Sequence, residues 1–246
     1  MISFLPDLRT YRESSLTSYS HHPYGSESEN GDWEIMYMEN TGSIFADSPY
    51  KGSGSLTREQ FYFYEMRTTA RLLCQGLGEK EVSNKIKSEN LFQFPTERTV
   101  NQAVSACLKR LSALEDDALV RAIAEQDSYT AKQICLYAMM KQYRLMWDFM
   151  ITVIGNKYRQ QDYTFSRRDV LIFLMQLQEQ DAVVASWTEA TIKKIVSVII
   201  RILIENEYLE SGKADRLNSV MITSFLENAI QETGTTQALS AFNCFS

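Results

Sequence analysis

The chain has 246 residues, of which 44% are hydrophobic and 23% are charged, and its formal net charge is −6. This composition is typical of a soluble globular protein and excludes a wholly disordered chain. Its only histidines, His21 and His22, lie close to the N-terminus, so the remaining chain lacks the imidazole of most Ser-His, Cys-His and zinc hydrolase sites. We therefore predict no catalytic residues, no metal site and no cofactor.

The cysteines and the hydropathy pattern limit where the protein works. Cys74, Cys107, Cys135 and Cys244 are widely spaced, which predicts small buried side chains rather than disulfides or metal ligands. No uncharged apolar run approaches the roughly 18 residues that span a bilayer. Met1–Thr10 also lacks the basic start and the long apolar centre of a signal peptide. We expect a cytoplasmic protein without membrane contact.

The first 56 residues differ from the rest in composition. They hold three of the four prolines, five of the ten glycines, and eight acidic residues against three basic ones. Low apolar periodicity and many helix breakers predict that residues 1–56 are a disordered acidic extension. The rest of the chain, 57–246, is nearly neutral, with 22 basic and 23 acidic residues. A neutral domain can still bind a polyanion where its positive charges cluster.

Residues 57–115 have an apolar period of 3.6 residues, which predicts the N-terminal helical region of an all-α protein. Thr57 and Gln60 have the spacing of a capping box and predict the start of a helix that stops at the glycines of Gly76–Gly78. The aromatic run 61–64, FYFY, is predicted to pack in the core, with a base-stacking platform as the less favoured alternative.

A short helix over 79–88 and a longer helix over about 96–114 are predicted on either side of the break at Asn90–Pro95. The outward face of the longer helix carries Arg98, Asn101, Gln102, Ser105 and Lys109. This order resembles a helix-turn-helix, and Arg, Asn and Gln are the side chains best able to read base edges. The connection is longer than the usual three or four residues, so a plain helical hairpin is the alternative.

Residues 116–246 are predicted to form a C-terminal helical region. Thr130–Tyr158 is rich in methionine and aromatic residues and predicts two core helices separated near Gln142. Ser166 and Asp169 predict the cap of a helix over about 167–178. The basic residues around this start either touch phosphates or face solvent; they are Lys157, Arg159, Arg167 and Arg168.

The segment Ser186–Leu209 combines a helix start, an apolar stripe and a basic stripe. Ser186 and Glu189 have capping-box spacing, which predicts a helix that begins near Trp187. The apolar stripe consists of Ile192, Ile195, Val196, Ile199, Ile202 and Leu203. The basic stripe consists of Lys193, Lys194 and Arg201, with Ser197 between them. It indicates either a solvated helix face or a contact with nucleic acid.

The loosely alternating segment Tyr208–Ile222 contains Gly212 and is compatible with a short hairpin before a helix over Thr223–Glu232. Such a hairpin, together with helices over 167–178 and 187–206, would make a winged-helix-like end to the chain. No turn dipeptide marks the hairpin, so its signal is weak.

Several segments carry a resemblance, in order along the chain. They are Asn90–Gln93, Thr96–Thr99, Leu108–Leu111, Leu136–Ala138 with Arg144, Trp187–Lys194, Arg201–Glu205 and Tyr208–Leu209. Their residues and spacing resemble the BrxA family of BREX phage-defence proteins. The resemblance implies an all-α, NusB-like fold that binds double-stranded DNA and works beside the BREX methyltransferase, phosphatase-like and ATPase components. It brings no catalytic residues.

Two basic helical faces and this resemblance predict a non-enzymatic DNA-binding component of a BREX system. The first alternative is a protein–protein adaptor, in which the basic stripes meet acidic partner surfaces. The second is RNA binding, by analogy with the NusB-like fold alone.

Overall fold

The computed structural model describes residues 48–245. Residues 1–47, which make up most of the predicted acidic extension, lie outside the described residues, as does Ser246. Across the described part the chain forms eleven α-helices and no strand, which confirms the all-α prediction.

The helices run in chain order from α1 to α11. They are α1 Phe63–Cys74, α2 Glu79–Ser88, α3 Glu97–Leu114, α4 Asp117–Glu125, α5 Ser128–Gln142, α6 Arg144–Phe149, α7 Asn156–Arg159, α8 Arg167–Gln180, α9 Ala182–Ala185, α10 Glu189–Glu205 and α11 Ser224–Glu232. Two 3-10 turns, Ser53–Thr57 and Thr236–Phe242, lie at the two ends of this set, and a π-helical segment, Met150–Gly155, joins α6 to α7.

The core surrounds α5, whose buried residues lie on every side of the helix. A helix that is apolar all round is stable only where other elements cover it. Helix α3 packs on α5. Helices α1 and α4 pack on each other, and each also packs on α3 and α5. The predicted helical regions 57–115 and 116–246 therefore share one hydrophobic core.

The segment 48–56, which falls within the predicted disordered extension, is packed against the core. Leu56 has no exposed surface, and Tyr50 donates a hydrogen bond of 2.8 Å from its hydroxyl to Asp148. The Ser48 hydroxyl donates to Asp181 over 2.8 Å. The prolines and glycines were counted over all 56 residues together, so the count could not distinguish this short folded stretch from the rest of the extension.

Helix α1 starts at Phe63, five residues later than the start at Arg58 that a capping box at Thr57 predicts. The Thr57 hydroxyl donates to the Gly54 carbonyl inside the 3-10 turn, so it does not cap a helix. Tyr62 precedes α1 with a left-handed φ of 59°. Three residues of the FYFY run are buried as predicted, whereas Tyr64 is 79% exposed.

Helices α2 and α3 lie where the sequence predicted them. Thr96 caps α3, because its hydroxyl accepts a hydrogen bond from the Thr99 amide over 3.2 Å. Residues 89–96 form an irregular eight-residue connection, in which Asn90 and Gln93 adopt positive φ. The two helices pack together, but a tight turn does not join them.

The predicted start of α10 is wrong by two residues. Thr188, not Ser186, is its N-cap, and its hydroxyl accepts from the Thr191 amide over 3.2 Å. Asp181 caps the short preceding helix α9, and the Ser186 hydroxyl donates to the Val183 carbonyl at the end of that helix. The capping box predicted at Ser166 and Asp169 is confirmed at the start of α8.

The segment 208–222 does not form the short hairpin that its alternation allows. It contains a turn near Gly212, and a single backbone hydrogen bond crosses it, from the Asn218 amide to the Tyr208 carbonyl over 2.9 Å. Its other pairing is with residues 163–165, through an isolated antiparallel bridge between Thr164 and Arg216. The Leu217 amide donates to the Tyr163 carbonyl over 2.7 Å, and the Phe165 amide donates to the Asp215 carbonyl over 2.9 Å. The described residues therefore lack the hairpin of a winged helix. No described helix is both long and apolar enough to cross a membrane.

Candidate nucleic-acid interface

The first predicted contact surface is the outward face of α3. Arg98, Asn101 and Lys109 are exposed on this face, and Gln102 is half-buried. The opposite face supplies core residues that include Cys107. These four polar side chains therefore lie on one helix, away from the core.

An open groove of about 570 Å³ runs along the N-terminal half of this face, and we name it the α3 groove. It is lined by Ser55, Arg58, Glu59, Glu97, Arg98, Asn101, Gln102 and Ser105. Three of the predicted contact residues are therefore brought together in one concavity. The second wall of the groove comes from the 3-10 turn and the residues that follow it.

A buried arginine holds that second wall in place. Arg110, on the inner side of α3, has no exposed surface and donates from Nη1 to the carbonyl oxygens of Gln60 and Phe61 over 2.8 and 2.9 Å. Its guanidinium also lies between the rings of Tyr62 and Tyr143, 5.6 and 5.4 Å from their centroids. These contacts fix the backbone just after Arg58 against α3.

The carboxylate of Glu59 is already engaged by this network. Arg110 Nη2 lies 3.4 Å from Glu59 Oε2, and the Tyr143 hydroxyl donates to the same oxygen. Burial raises the pKa of Tyr143 to about 12, and the hydrogen bond to Glu59 adds to this shift. Tyr143 therefore stays protonated as a donor at neutral pH. Glu59 contributes less free negative charge to the groove than its formal charge suggests.

Within residues 48–245, the cations of the groove form no ion pairs. Arg58 and Arg98 are both exposed, and neither forms a salt bridge with any residue from 48 to 245. Asn101 and Gln102 add amide donors and acceptors beside them. The arrangement suits an anion with a surrounding hydrogen-bonding surface, such as a phosphodiester and the adjoining bases.

Lys109 does not reach the α3 groove. It lies in a second open groove of about 690 Å³ near the C-terminal end of α3, which Lys87 also lines. Eleven residues separate Arg98 from Lys109, which corresponds to about 16 Å along a helix. Asn101 and Ser105 line both grooves, so the polar face is continuous between them.

The second predicted surface lies on α10, and we name it the α10 stripe. Lys193, Lys194 and Arg201 are exposed, and Arg167 from α8 joins them by donating to Ser197 over 2.9 Å. Lys193 forms an ion pair of 2.5 Å with Glu189. Both side chains are mostly exposed, so the pair adds little stability, but it offsets part of the positive charge of the stripe.

Arg168 is exposed in the first turn of α8, beside Arg167. Its side chain forms no ion pair with the described residues. A cation in this turn opposes the helix dipole, so helix stability does not explain its presence. The hydrogen bond to Ser197 thus places Arg167 beside the α10 stripe, whereas Arg168 makes no side-chain hydrogen bond to α10.

Sequence reasoning missed Ser55, Arg58 and Lys87. Ser55 and Arg58 lie at the predicted border of the extension, although apolar residues flank them at Leu56 and Phe61. Those apolar residues indicated that the folded part of the chain begins before residue 57, where the predicted extension ends. Lys87 lies on the predicted helix 79–88, but nothing in the sequence distinguishes it from an ordinary solvated lysine.

Metal-ligating side chains are not clustered in the described part of the chain. Within residues 48–245 no three His, Cys, Asp or Glu side chains lie together in a way that could hold a metal ion. All four cysteines are free thiols. Cys107 and Cys135 are buried as predicted, whereas Cys74 is exposed and Cys244 is half-buried.

Comparisons with known proteins agree with one another. A family model described as BrxA matches residues 49–234. A BREX protein BrxA of Bacillus cereus (strain H3081.97) is 40% identical over 154 residues, which cover 63% of this chain and 76% of that protein. A BREX protein BrxA of Paramagnetospirillum magneticum (strain ATCC 700264 / AMB-1) is 27% identical over 190 residues, which cover 76% of this chain and 92% of that protein.

The fold is also similar to a solved structure. The crystal structure of a protein from Magnetospirillum magneticum superposes with a TM-score of 0.66 at 23% identity, and the match covers 77% of this chain and 96% of that chain. This likeness supports the fold alone. The family match extends over most of the chain, including both candidate surfaces, and the chain belongs to the BrxA family of BREX proteins.

Proposed function

We propose that this protein is a non-enzymatic component of a BREX phage-defence system and that it binds double-stranded DNA. The observation that carries the proposal is the α3 groove, where two side-chain amides meet two guanidiniums that form no ion pair within the described part of the chain. Its family membership supports the BREX assignment. Free thiols at all four cysteines fit work in the reducing cytoplasm.

The α3 groove supplies both kinds of contact that DNA recognition needs. Arginine forks bind phosphates or guanine edges, and the amides of Asn101 and Gln102 can bond to adenine edges in a major groove. Helices α2 and α3 have the order of a helix-turn-helix, with α3 as the recognition helix. The long connection between them is a departure from the usual motif.

The α10 stripe would act as a second, backbone-directed contact. Its residues are Lys and Arg with a serine hydroxyl, a set that neutralises phosphates without reading base sequence. Phosphate contacts position the protein on the duplex and make its affinity depend on salt. We therefore expect binding with a marked salt dependence and a modest sequence preference.

A protein–protein adaptor is the second candidate function, with other BREX proteins as partners. It is favoured by apolar side chains that are exposed on α8: Leu171, Ile172 and Met175 are 39%, 44% and 53% exposed. Exposed apolar groups in a row on one helix are typical of a contact surface. These α8 side chains do not line the α3 groove, so binding at the groove and binding at α8 can be tested separately in the same protein.

Fluorescence anisotropy with labelled duplex DNA, single-stranded DNA and RNA at several salt concentrations tests the proposal. We expect the duplex to bind most tightly, with log affinity falling linearly against log salt by about 0.9 per neutralised phosphate. Preferred binding to RNA would favour the NusB-like alternative. An absence of binding to all three nucleic acids would contradict the proposal and leave the adaptor function in first place.

A further inference from the structure

Two arginines reach the α3 groove from parts of the chain that are forty residues apart. Arg98 comes from the first turn of α3, and Arg58 comes from the end of the 3-10 turn Ser53–Thr57. Neither forms an ion pair with the described residues. Two like charges in one groove repel each other, so their placement costs free energy unless an anion lies between them.

The carboxylates of the groove do not balance these two cations. Glu59 is bound by Arg110 and Tyr143, and only 17% of its side chain is exposed. Glu97 is exposed at the start of α3 and forms no ion pair in the described residues. Counted over residues 48–245, the groove therefore holds two unpaired positive charges against one unpaired negative charge.

The backbone that carries Arg58 is fixed by buried contacts. The Arg58 amide donates to the Ser55 carbonyl over 2.9 Å, and the next residues are held by Arg110. Leu56 anchors the turn in the core. The backbone of Arg58 is thus fixed before any ligand binds, which reduces the loss of conformational entropy on binding.

We propose that Arg58 and Arg98 together clamp one phosphate of the nucleic-acid backbone in the α3 groove, with Arg110 as a positioning residue. The inference rests on the proposed function and deepens it, since it identifies what the groove recognises. Guanidinium forks match the tetrahedral phosphate and can each donate two hydrogen bonds to it. The Ser55 hydroxyl, which also lines the groove, is available as a further donor.

The clamp is tested with the full chain and labelled duplex DNA, by comparing Arg58→Gln, Arg98→Gln and the double variant. Counterion release from one phosphate corresponds to about eightfold in affinity at 0.1 M salt. If both arginines share one phosphate, the double variant loses about eightfold in affinity and about 0.9 in salt slope. Each single variant loses about threefold, since one arginine still holds the phosphate. Two separate phosphates would instead lower the slope by about 1.8, and that result would overturn the clamp.

Two further substitutions serve as controls, one that removes a positive charge outside the groove and one that removes a negative charge inside it. Lys51→Gln removes one exposed positive charge from the same segment outside the groove, and we expect less than a twofold effect. Glu97→Gln removes the free carboxylate and should strengthen binding by about threefold, because the carboxylate no longer repels the phosphate. Circular dichroism melts of every variant confirm that the fold is intact.

The outcomes separate this inference from the proposed function. If the wild-type protein binds no nucleic acid, the proposed function fails. If wild type binds and Arg98→Gln weakens it while Arg58→Gln behaves like Lys51→Gln, the clamp alone is wrong. Equal reductions in affinity for single-stranded DNA and for duplex would show that the clamp recognises a phosphodiester of either form, as expected for backbone contact.

Discussion

Gly155 lies so close to Ser240 that a Cβ atom added to the glycine would stand 2.6 Å from Ser240 Oγ and 2.9 Å from Ser240 Cβ. The π-helical segment that ends at Gly155 packs at this point on the C-terminal 3-10 turn. Both residues are buried, so neither backbone can move away into solvent. The close approach requires a residue without a side chain.

We predict that Gly155→Ala destabilises the protein by about 1–3 kcal/mol, which is the usual cost of overpacking a core. Urea denaturation followed by circular dichroism measures the change. Gly212→Ala is the matched control, because a Cβ there would meet only Ile200 at an ordinary 3.9 Å. An unchanged free energy of unfolding for Gly155→Ala would mean that the two segments separate easily.

The segment 48–56 should be part of the folding unit. A fragment 57–246 lacks the buried Leu56 and the hydrogen bond from Tyr50 to Asp148. We expect it to unfold at a clearly lower temperature than a fragment 48–246, by about 5 °C or more, since removal of a buried leucine side chain costs about 2–5 kcal/mol. Leu56→Ala in the full chain should reproduce most of that destabilisation. Equal melting temperatures for the two fragments would contradict the observed packing.

The buried network around Arg110 should make a large contribution to stability. Arg110→Met leaves the Glu59 carboxylate without its cation and two backbone carbonyls without their donor, and we expect it to destabilise the fold by about 3–5 kcal/mol. Tyr143→Phe removes a hydrogen bond to a charged group and should cost about 1.5–3 kcal/mol.

Tyr137→Phe is the control for this pair, because its hydroxyl bonds to the neutral Thr235 hydroxyl at 2.7 Å. It should cost no more than about 1.5 kcal/mol. Chemical denaturation of the three variants gives the order. A smaller cost for Tyr143→Phe than for Tyr137→Phe would show that Glu59 is not held as described.

The four thiols should differ sharply in reactivity. Burial raises the pKa of Cys107 to about 12, so its thiol is both inaccessible and protonated at neutral pH. Burial also raises the pKa of Cys135, whereas Cys74 is exposed. We expect an aromatic disulfide reagent to modify Cys74 rapidly and Cys107 and Cys135 only in denaturant. Mass spectrometry of the modified peptides identifies the sites, and fast labelling of Cys107 would contradict its burial.

The elements predicted best were those with a local cause. Helix α3 has a capping threonine at Thr96 and a regular apolar stripe, and both follow from sequence spacing alone. The start of α10 was misplaced because Asp181 caps a short helix first, so that Ser186 lies at that helix's end. Arg58 was not predicted at the groove because the backbone beside it is held by a hydrogen bond from Arg110 to the Gln60 carbonyl, fifty residues apart in sequence, and local spacing does not reveal such a contact.

The charge of the α10 stripe provides the last test of the DNA hypothesis. Lys193 is paired with Glu189, and this pairing holds the pKa of the glutamate below its usual range. Lys194 and Arg201 form no ion pair in the described residues. Replacement of Lys194 or Arg201 by Gln should therefore reduce duplex affinity and the salt slope more than Lys193→Gln does, with about 0.9 in slope for each phosphate that is no longer neutralised.

Glu189→Gln should have the opposite effect, because it releases Lys193 to interact with the DNA backbone. Surface changes of this kind cost no more than about 0.5 kcal/mol of stability, so the fold should survive in all four variants. Anisotropy titrations at three or more salt concentrations give the slopes. If the four variants bind duplex DNA with the wild-type affinity and slope, the α10 stripe does not contact DNA, and its cations are then available for an acidic surface of a protein partner.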